Sequence, residues 1–340
     1  MQIVRWFLLP FTIFYTLIIW VRNKLYDFNI LSSRSFTIKT IVVGNLAVGG
    51  AGKSPLTAKL ISHFKDKYKL ATLSRGYGRK TKGFGLVTVE DTVEKVGDEP
   101  LQFKKNFPNI TVSVDENRVE GIEILQKDHE LILLDDAYQH RKVKPKCAIL
   151  LFEYQSILNP IILLPTGNFR DTFDQSKRAD IIVITKCPDI IPTDLKKKIE
   201  KKIRKYNKDA PIYYSSIKYK SVIPVKPDFP FINTLPKKVL LLTGIANPKP
   251  LVQYLESCGI QLDHIKMSDH HDFDDFDYKV INTRFKKLNQ RGNVILLTTE
   301  KDAQRLALDK IDGIPTYYIP IEINIDSEAL FFKDLEKVIL

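Results

Sequence analysis

The sequence predicts an α/β protein in which a parallel sheet is flanked by helices and a smaller α/β unit follows. Two observations support this fold class. Short, nearly continuous aliphatic runs, typical of strands buried on both faces, alternate with amphipathic helical stretches. A proline-rich connection between residues 223 and 238 then separates two more strand-and-turn segments from the rest. Strands that alternate with helices favour a doubly wound sheet.

The composition is that of a folded globular chain with an anionic partner. Of the 340 residues, 44% are hydrophobic and 27% charged, which argues against a disordered protein. Lys and Arg (52) exceed Asp and Glu (40), which favours a phosphate, nucleic-acid or acidic-membrane partner without choosing among them. The three cysteines have no C-x-x-C spacing, so a disulfide framework or zinc site is disfavoured and a reducing cytosol is favoured.

The first 25 residues contain an apolar segment, WFLLPFTIFYTLIIWV (6–21), without a charge. As a helix it would be roughly 24 Å long, shorter than the ~30 Å hydrocarbon core of a bilayer. Trp6, Tyr15 and Trp20 are of the types that settle at membrane interfaces. No small-residue cleavage site follows, which disfavours a signal peptide, while a buried core helix stays an alternative. We expect residues 1–25 to form a helix that associates with the cytoplasmic leaflet.

The rest of the chain is predicted to form two domains. Residues 26–222 contain the first series of strands, and residues 223–340 form the smaller C-terminal α/β domain, joined by the extended proline-rich connection. The lysine-rich stretch 195–208 is predicted to be a solvated helix, with its isoleucines toward the core. We therefore expect no nucleic-acid partner.

A glycine-rich segment between a predicted strand and a predicted helix, AVGGAGKS (47–54), matches a phosphate-binding P-loop. Ala47 stands where the strict pattern has Gly. Lys53 would reach the β- and γ-phosphates of ATP, and the Ser54 hydroxyl would bind Mg²⁺. Backbone N–H groups at a helix N-terminus would hold phosphate oxygens. The predicted nucleotide-binding residues are Gly49, Gly50, Ala51, Gly52, Lys53, Ser54 and Pro55.

A second element, LILLDD (131–136), matches the Walker-B strand that usually accompanies such a loop. Its carboxylates, Asp135 and Asp136, would hold the Mg²⁺ shell at the carboxyl end of the strand. The motif is weak alone, and its position some 80 residues after the loop makes it more specific. ATP and Mg²⁺ are therefore the predicted cofactors.

Eight short motifs occur in one order along the chain: GNLAVGGAGKSP (44–55), LSRGYGR (73–79), VGDEP (96–100), DDAYQH (135–140), LPTGNFRD (164–171), TGIANP (243–248), SDHHDF (268–273) and TEKDAQR (299–305). On these motifs the chain resembles the tetraacyldisaccharide 4'-kinases, the lipid A 4'-kinases of Gram-negative bacteria. It departs at Ala137-Tyr138, where Gly-Leu is common, and at Asn168, where Pro is frequent.

The resemblance implies transfer of the γ-phosphate of ATP to the 4'-hydroxyl of a lipid disaccharide 1-phosphate. It also implies a P-loop domain and a smaller domain that close around nucleotide, and a membrane-associating N-terminal helix. We accordingly expect a lipid disaccharide substrate, a location at the cytoplasmic face of the inner membrane, and a monomer.

The resemblance also implies roles for residues outside the loop. Asp98 would be the base that accepts the proton of the attacking hydroxyl, and His270 would orient it from the second domain, so that Lys53, Asp98 and His270 form the predicted catalytic set. Local sequence alone favours Asp98 and Glu99 as caps of the helix that begins near Pro100, and the resemblance reverses this preference. The predicted substrate-binding residues are Arg75, Arg79, Glu99 and Arg170.

Two segments, TEKD (299–302) and ITKCPD (184–189), allow more than one interpretation. Residues 299–302 (TEKD) could either contact the nucleotide or cap the next helix. A P-loop GTPase or metallochaperone-like protein is the competing function, because ITKCPD loosely resembles a guanine-specificity element; Asp189, however, lies one position too late. A nucleic-acid-dependent ATPase is disfavoured because no single-strand platform or helicase motif is recognisable.

Overall fold

The computed structural model describes residues 5–269, 271–311 and 313–340. The strands, in chain order, are β1 (Lys39–Asn45), β2 (Leu70–Ser74), β3 (Gly85–Leu86), β4 (Thr111–Val114), β5 (Leu131–Asp135), β6 (Cys147–Glu153), β7 (Ile181–Thr185), β8 (Ile212–Tyr219), β9 (Ile223–Pro224), β10 (Lys238–Thr243), β11 (Gln261–Lys266), β12 (Ile295–Thr299), β13 (Thr316–Ile319) and β14 (Ile321–Ile325).

The α-helices, in chain order, are α1 (Leu9–Asp27), α2 (Lys53–Phe64), α3 (Val93–Val96), α4 (Asp98–Asn106), α5 (Arg118–Leu125), α6 (Tyr154–Leu158), α7 (Thr193–Arg204), α8 (Lys249–Ser257), α9 (Asp275–Leu288), α10 (Glu300–Ala303) and α11 (Glu328–Ile339). The structure contains the predicted strand and helix on either side of the glycine-rich loop, β1 and α2. It also contains the predicted strand that ends at Asp135 and the predicted lysine-rich helix, α7.

The larger sheet has, within the described residues, nine strands in the order β14-β8-β7-β6-β1-β5-β2-β4-β3. The strands from β8 to β4 are parallel, and the two edge strands, β3 and β14, pair antiparallel with their neighbours. β1, which leads into the glycine-rich loop, lies between β5 and β6 in the middle of this sheet. The predicted α/β fold class with a mainly parallel sheet is confirmed.

Both faces of the larger sheet are covered, which explains the continuous aliphatic runs in the sequence. Along β1, Ile41 and Val43 belong to the core under α2, while Val42 belongs to the core on the opposite face. Successive side chains of a strand point to opposite faces, so a strand covered on both sides needs apolar residues at every position.

The smaller sheet has the order β11-β10-β12-β13-β9 over the described part of the chain. Its four longer strands are parallel, and β9, at the start of the proline-rich connection, pairs antiparallel with β13. Two separate apolar cores lie on the two faces of this sheet. The predicted second, smaller α/β unit is therefore present.

The end of the chain differs from the predicted assignment of residues 223–340 to one unit. Residues 321–340 return to the larger sheet, where β14 pairs with β8 and aligns Ile323 with Ile217. α11 follows and buries Phe331 and Leu335 in the core beneath α2. The physical reason is twofold: β14 pairs with the edge that β8 would otherwise expose, and the apolar face of α11 packs into the core on one face of the sheet.

The N-terminal helix α1 packs through polar contacts and leaves its apolar side chains outside. Thr12 Oγ1 donates to Thr166 Oγ1 at 2.7 Å, and Asn23 Nδ2 donates to Asp171 Oδ1 at 2.7 Å. The exposed apolar residues of this segment are Trp6, Phe7, Leu9, Phe11, Ile13, Phe14, Leu17, Ile18, Trp20 and Val21. Among the residues described, we find no helix with the length and apolar character that crossing a membrane requires.

Candidate functional site

The glycine-rich loop connects the carboxyl end of β1 to the first turn of α2. Gly52 precedes this turn with φ +83°, a left-handed conformation that L-residues with a Cβ adopt at a cost. Thr185 Oγ1, at the end of β7, donates to the Ala51 carbonyl at 2.8 Å and fixes the loop to the neighbouring strand. The backbone N–H groups that begin α2 have no partner within the helix, and this leaves them available to an anion.

Lys53 lies beside an acidic and polar group at the base of the loop. Its Nζ is 3.6 Å from Asp136 Oδ2 and 3.4 Å from Asn45 Oδ1. The Arg170 guanidinium pairs with the same Asp136 carboxylate and donates to Asn45 Oδ1 at 2.7 Å. Burial works against the charge on Asp136, but Lys53 and Arg170 outweigh it and hold its pKa below the ordinary value.

The pKa of Asp135, the neighbouring carboxylate, is shifted in the opposite direction. This carboxylate is buried, Thr57 Oγ1 donates to its Oδ1 at 2.9 Å, and its Oδ2 has no hydrogen-bond partner among the described residues. Burial and the nearby Glu99 and Asp136 raise its pKa, against the opposing effect of Lys53. A buried oxygen without a partner is costly unless a cation or another donor completes its coordination.

His140 closes the segment that follows these two acidic residues. Its Nε2 is buried without a hydrogen-bond partner in the described ranges. Burial, followed by Arg118 and Lys142, lowers its pKa from 6.5 to about 4. The folded state therefore favours the neutral ring, so stability that is present above pH 6.5 is lost as the pH falls toward 4.

We expect His140→Gln to flatten this pH dependence, because glutamine does not titrate. Urea unfolding at a series of pH values between 7 and about 4 measures the effect as the slope of the unfolding free energy. His129→Gln is the matched control, since His129 precedes β5 whereas His140 follows it, and His129 is hydrogen-bonded to the Leu125 carbonyl and Thr111. An unchanged slope in His140→Gln would contradict the assignment of a neutral buried ring.

Asp98 and Glu99 form the first turn of α4. Gly97 before them has φ +91°, and a Cβ there would meet the Tyr77 carbonyl oxygen at 3.0 Å, so glycine is required. Asp98 is 2% exposed, and its Oδ1 accepts the Glu99 N–H at 2.9 Å. Glu99 Oε1 accepts the Ser54 hydroxyl at 2.8 Å. Both carboxylates thus begin a helix, and Glu99 also reaches the glycine-rich loop, while the role of Asp98 as a base stays a prediction.

A cleft of about 1660 Å³ opens between the glycine-rich loop and the smaller sheet. Its walls include α2, α4, the end of β8 and the turn that begins α10. The site residues that line it are Gly49, Gly50, Ala51, Gly52, Lys53, Ser54, Pro55, Glu99, Asp136, Arg170, Asp269 and Lys301. It is therefore large enough and polar enough at its base for a nucleotide and part of an acceptor.

Two arginines predicted to bind substrate lie elsewhere. Arg79 pairs with Glu116 and donates to the Gly83 carbonyl at 2.8 Å, so its guanidinium holds the loop after β2 together. Arg75 is exposed and does not line the cleft. Arg170 lines the cleft but pairs with Asp136. The structure therefore brings Glu99 and Arg170 of the predicted substrate set to the cleft. His270 lies outside the described residues.

The segment 164–171 is hydrogen-bonded to the start of the glycine-rich loop through the backbone. The Val48 N–H donates to the Asn168 carbonyl at 2.8 Å, and the Arg170 N–H donates to the Leu46 carbonyl at 2.8 Å. The same segment receives the N-terminal helix, since Tyr15 OH donates to the Arg170 carbonyl at 2.9 Å. One short segment therefore joins α1 to the phosphate-binding loop.

Three further polar residues belong to this site, and reasoning from the sequence did not assign them. Thr57 contacts Asp135, and Asn45 contacts Lys53. Thr57 lies in the first turns of α2, just after the glycine-rich loop, and Asn45 ends β1, just before that loop. Lys301 reaches the site from the smaller sheet. A lysine after a buried strand was the signal for Lys301, but its partners lie about 200 residues earlier in the chain.

Comparison with known proteins identifies the family. Residues 4–340 match the family model of tetraacyldisaccharide-1-P 4'-kinase, LpxK. A tetraacyldisaccharide 4'-kinase of Bacteroides thetaiotaomicron is 40% identical over 344 residues, covering 95% of this chain and 90% of that protein. One of Flavobacterium johnsoniae is 41% identical over 326 residues, covering 95% and 93%.

A solved structure agrees over the whole fold. It is the crystal structure of LpxK from Aquifex aeolicus, described as an "apo" form in complex with ATP. It is 26% identical in sequence, with a TM-score of 0.76, and covers 99% of this chain and 100% of that chain. The family predicted from the eight motifs is confirmed, and a kinase is favoured over the GTPase alternative: the chain belongs to the tetraacyldisaccharide 4'-kinase family.

Proposed function

We propose that this kinase uses Mg-ATP to phosphorylate the 4'-hydroxyl of a tetraacyldisaccharide 1-phosphate at the cytoplasmic face of the inner membrane. The observation that carries the proposal is the cleft itself. Lys53 and the glycine-rich loop lie at its base, and Glu99 lines its wall, joined to the loop by the Ser54–Glu99 hydrogen bond of 2.8 Å. The buried Asp98 lies directly before Glu99 in the first turn of α4. A phosphate site and a carboxylate for the acceptor hydroxyl are the two parts that such a transfer needs.

ATP would bind with its phosphates along the loop from Gly49 to Ser54. The loop N–H groups and the N-terminus of α2 are suited to the α- and β-phosphates, and the Lys53 ammonium to the β- and γ-phosphates. Asp136 and Asn45 hold Lys53 at that position in the structure. Arg170, which pairs with Asp136, would act by keeping this carboxylate in place.

Oxygen donors near the loop fit Mg²⁺. The Ser54 hydroxyl lies in the cleft, and the buried Asp135 Oδ2 has no hydrogen-bond partner within the described residues. Mg²⁺ in nucleotide sites uses one or two carboxylates together with phosphate oxygens and water. Ser54, Asp135 and Asp136 would hold the ion, which neutralises charge on the phosphates.

Asp98 would accept the proton as the acceptor hydroxyl attacks the γ-phosphorus. In that step an O–P bond to the sugar forms, the bond from phosphorus to the ADP oxygen breaks, and the hydroxyl proton passes to an Asp98 carboxylate oxygen. Its burial restricts water around the base, and the Lys301 ammonium lies 3.6 Å from its Oδ2. The predicted partner role of His270 belongs to this proposal.

Phosphate transfer can be tested with the purified protein, γ-labelled ATP and detergent-dispersed tetraacyldisaccharide 1-phosphate. We expect label in a bisphosphorylated lipid, and none when Mg²⁺ is chelated. GTP in place of ATP is the comparison for nucleotide preference. Nucleotide hydrolysis without labelled lipid, or a preference for GTP, would contradict the proposal.

The N-terminal helix would place the cleft next to its lipid substrate. Its apolar side chains lie outside the fold, as Phe14 with 65% and Leu17 with 54% exposure show. An exposed apolar surface of this extent on one helix is typical of an interface-binding segment. Its polar residues are used by contacts to the fold, such as Thr12 with Thr166.

We expect Phe14→Ser combined with Leu17→Ser to weaken membrane binding. Burying such side chains in an apolar medium contributes about 1.5–3 kcal/mol each, so removing part of that from two residues should lower partitioning roughly 100-fold. Flotation with phosphatidylglycerol-containing vesicles measures it. Ile190→Ser, at a site 85% exposed in the loop before α7, is the control and should float like the unchanged protein. Undiminished flotation of the double variant would rule out this surface.

A further inference from the structure

Lys301 reaches from the smaller sheet to the two carboxylates at the start of α4. Its Nζ is 3.6 Å from Asp98 Oδ2 and 3.4 Å from Glu99 Oε1. It is the second residue of α10, directly after the carboxyl end of β12, and it lines the cleft. One ammonium group thus contacts both Asp98, the proposed base, and Glu99, which accepts the Ser54 hydroxyl of the phosphate loop.

The electrostatic balance keeps this amine charged. Burial disfavours the ammonium, but Glu99, Asp98 and Asp269 outweigh burial and raise the pKa of Lys301 above its ordinary value. An ammonium between carboxylates at these distances makes charge-assisted contacts, which are stronger than neutral hydrogen bonds.

The backbone beneath Lys301 is fixed by its neighbours. Asp302 is fully buried, accepts the Gly244 N–H at 2.9 Å and pairs with Arg305 at 2.8 Å. The Thr299 hydroxyl donates to Asp302 Oδ2 at 2.7 Å and accepts the Asp302 N–H at 3.1 Å, which caps α10. Lys301 therefore extends from a rigid turn, and this is the condition for holding another group in position.

A second lysine at the same helix contact provides a comparison. Lys105 Nζ, on α4, donates to Gln304 Oε1 at 2.7 Å, but it lies at the far end of α4 from Asp98. Lys105 and Lys301 both join the two units, and Lys301 is the one that contacts the carboxylates. A variant of Lys105 therefore removes a contact between the two units, whereas a variant of Lys301 also removes the contact to Asp98.

We propose that Lys301 is a positioning residue that crosses the cleft to hold Asp98 and Glu99 for the transfer step. Approach of the smaller sheet to the phosphate loop would then set the orientation of the base, and the chemistry would depend on that approach. This inference rests on the proposed function of Asp98. Because Lys301 contacts Asp98 and Glu99, whereas Lys53 is held by Asp136 and Asn45, loss of Lys301 should slow the chemical step more than it weakens ATP binding.

Lys301→Met tests this, since methionine keeps the length of the side chain and removes its charge. We expect kcat to fall roughly 100-fold, as a small misplacement of a reacting group can cause, with KM for ATP nearly unchanged. Lys301→Arg should recover part of kcat because it restores the cation. Lys105→Met is the matched control and should keep kcat. Nucleotide-dependent thermal stabilisation should be retained in all three variants.

A normal kcat in Lys301→Met would overturn the inference. So would a loss of kcat that Lys301→Arg does not improve and that also occurs in Lys105→Met. If the unchanged protein transfers phosphate to the disaccharide and Lys53→Ala does not, either result counts against the role of Lys301 alone. If the unchanged protein gives no labelled lipid, the proposed function fails instead.

Discussion

Replacing Lys53 by alanine is expected to abolish phosphate transfer, with a loss of kcat of roughly 10³-fold or more. The ammonium lies at the base of the cleft, 3.6 Å from Asp136 Oδ2, where the β- and γ-phosphates would bind. Cations directed at a transferring phosphoryl group stabilise the charge of the transition state, and their removal costs this order of magnitude. Initial rates of lipid labelling at saturating acceptor measure the change.

Lys65→Ala is the control for Lys53→Ala, because Lys65 lies exposed at the other end of the same helix. It should keep normal rates. Circular dichroism should show that both variants are folded. Near-normal transfer by Lys53→Ala would refute the assignment of the glycine-rich loop as the phosphate site.

Replacing Asp98 by asparagine has the second largest expected effect, a loss of kcat of roughly 10²–10⁴-fold with little change in KM for ATP. Asparagine keeps the shape of the side chain, which matters because Asp98 is 2% exposed, but it cannot accept the hydroxyl proton. Steady-state rates over a range of ATP and lipid concentrations separate the two parameters.

Glu94→Gln is the matched control for Asp98→Asn. Glu94 lies in α3, just before α4, and its salt bridge with Lys80 is exposed to solvent. This variant should have normal kcat. If Asp98→Asn instead raised KM for ATP at normal kcat, Asp98 would be a binding residue and the base would have to be sought elsewhere.

The fold and the phosphate loop could be predicted because their signals are local. A strand covered on both faces must be apolar throughout, as in β1 and β5, and a loop that surrounds phosphate needs glycines followed by Lys and Ser. These requirements fall on consecutive residues, so one stretch of sequence carries each of them.

Partners that lie far apart in the chain could not be predicted in the same way. β14 pairs with β8 about a hundred residues earlier, and nothing within residues 321–325 specifies that neighbour. Arg79 has the chemistry of a substrate-binding arginine, but in the structure its guanidinium pairs with Glu116. Guanidinium chemistry is visible in the sequence, but which carboxylate neutralises it depends on the tertiary structure.

The TEKD segment caps a helix, which is one of its two interpretations, while contact with the nucleotide stays a prediction. Thr299 and Asp302 cap α10 and fix the turn, while Lys301 between them reaches Asp98 and Glu99. The roles of Asp98 and His270 in catalysis, the division into three segments and the membrane association of α1 stay predictions. The Asp98 variant tests the first of these, and the flotation experiment tests the last.

The segment 164–171 has a consequence for preparing this enzyme without detergent. It receives the N-terminal helix on one side and supports the phosphate loop on the other, through Tyr15 with the Arg170 carbonyl and Val48 with the Asn168 carbonyl. Cutting away α1 would remove the hydrogen bonds that Thr166 and Asp171 make with it, each a net contribution of about 0.5–1.5 kcal/mol to the stability of this segment. A shortened protein would thus lose activity for reasons unrelated to lipid, and exchanging outward-facing side chains of α1 for polar ones is the better route to a water-soluble form.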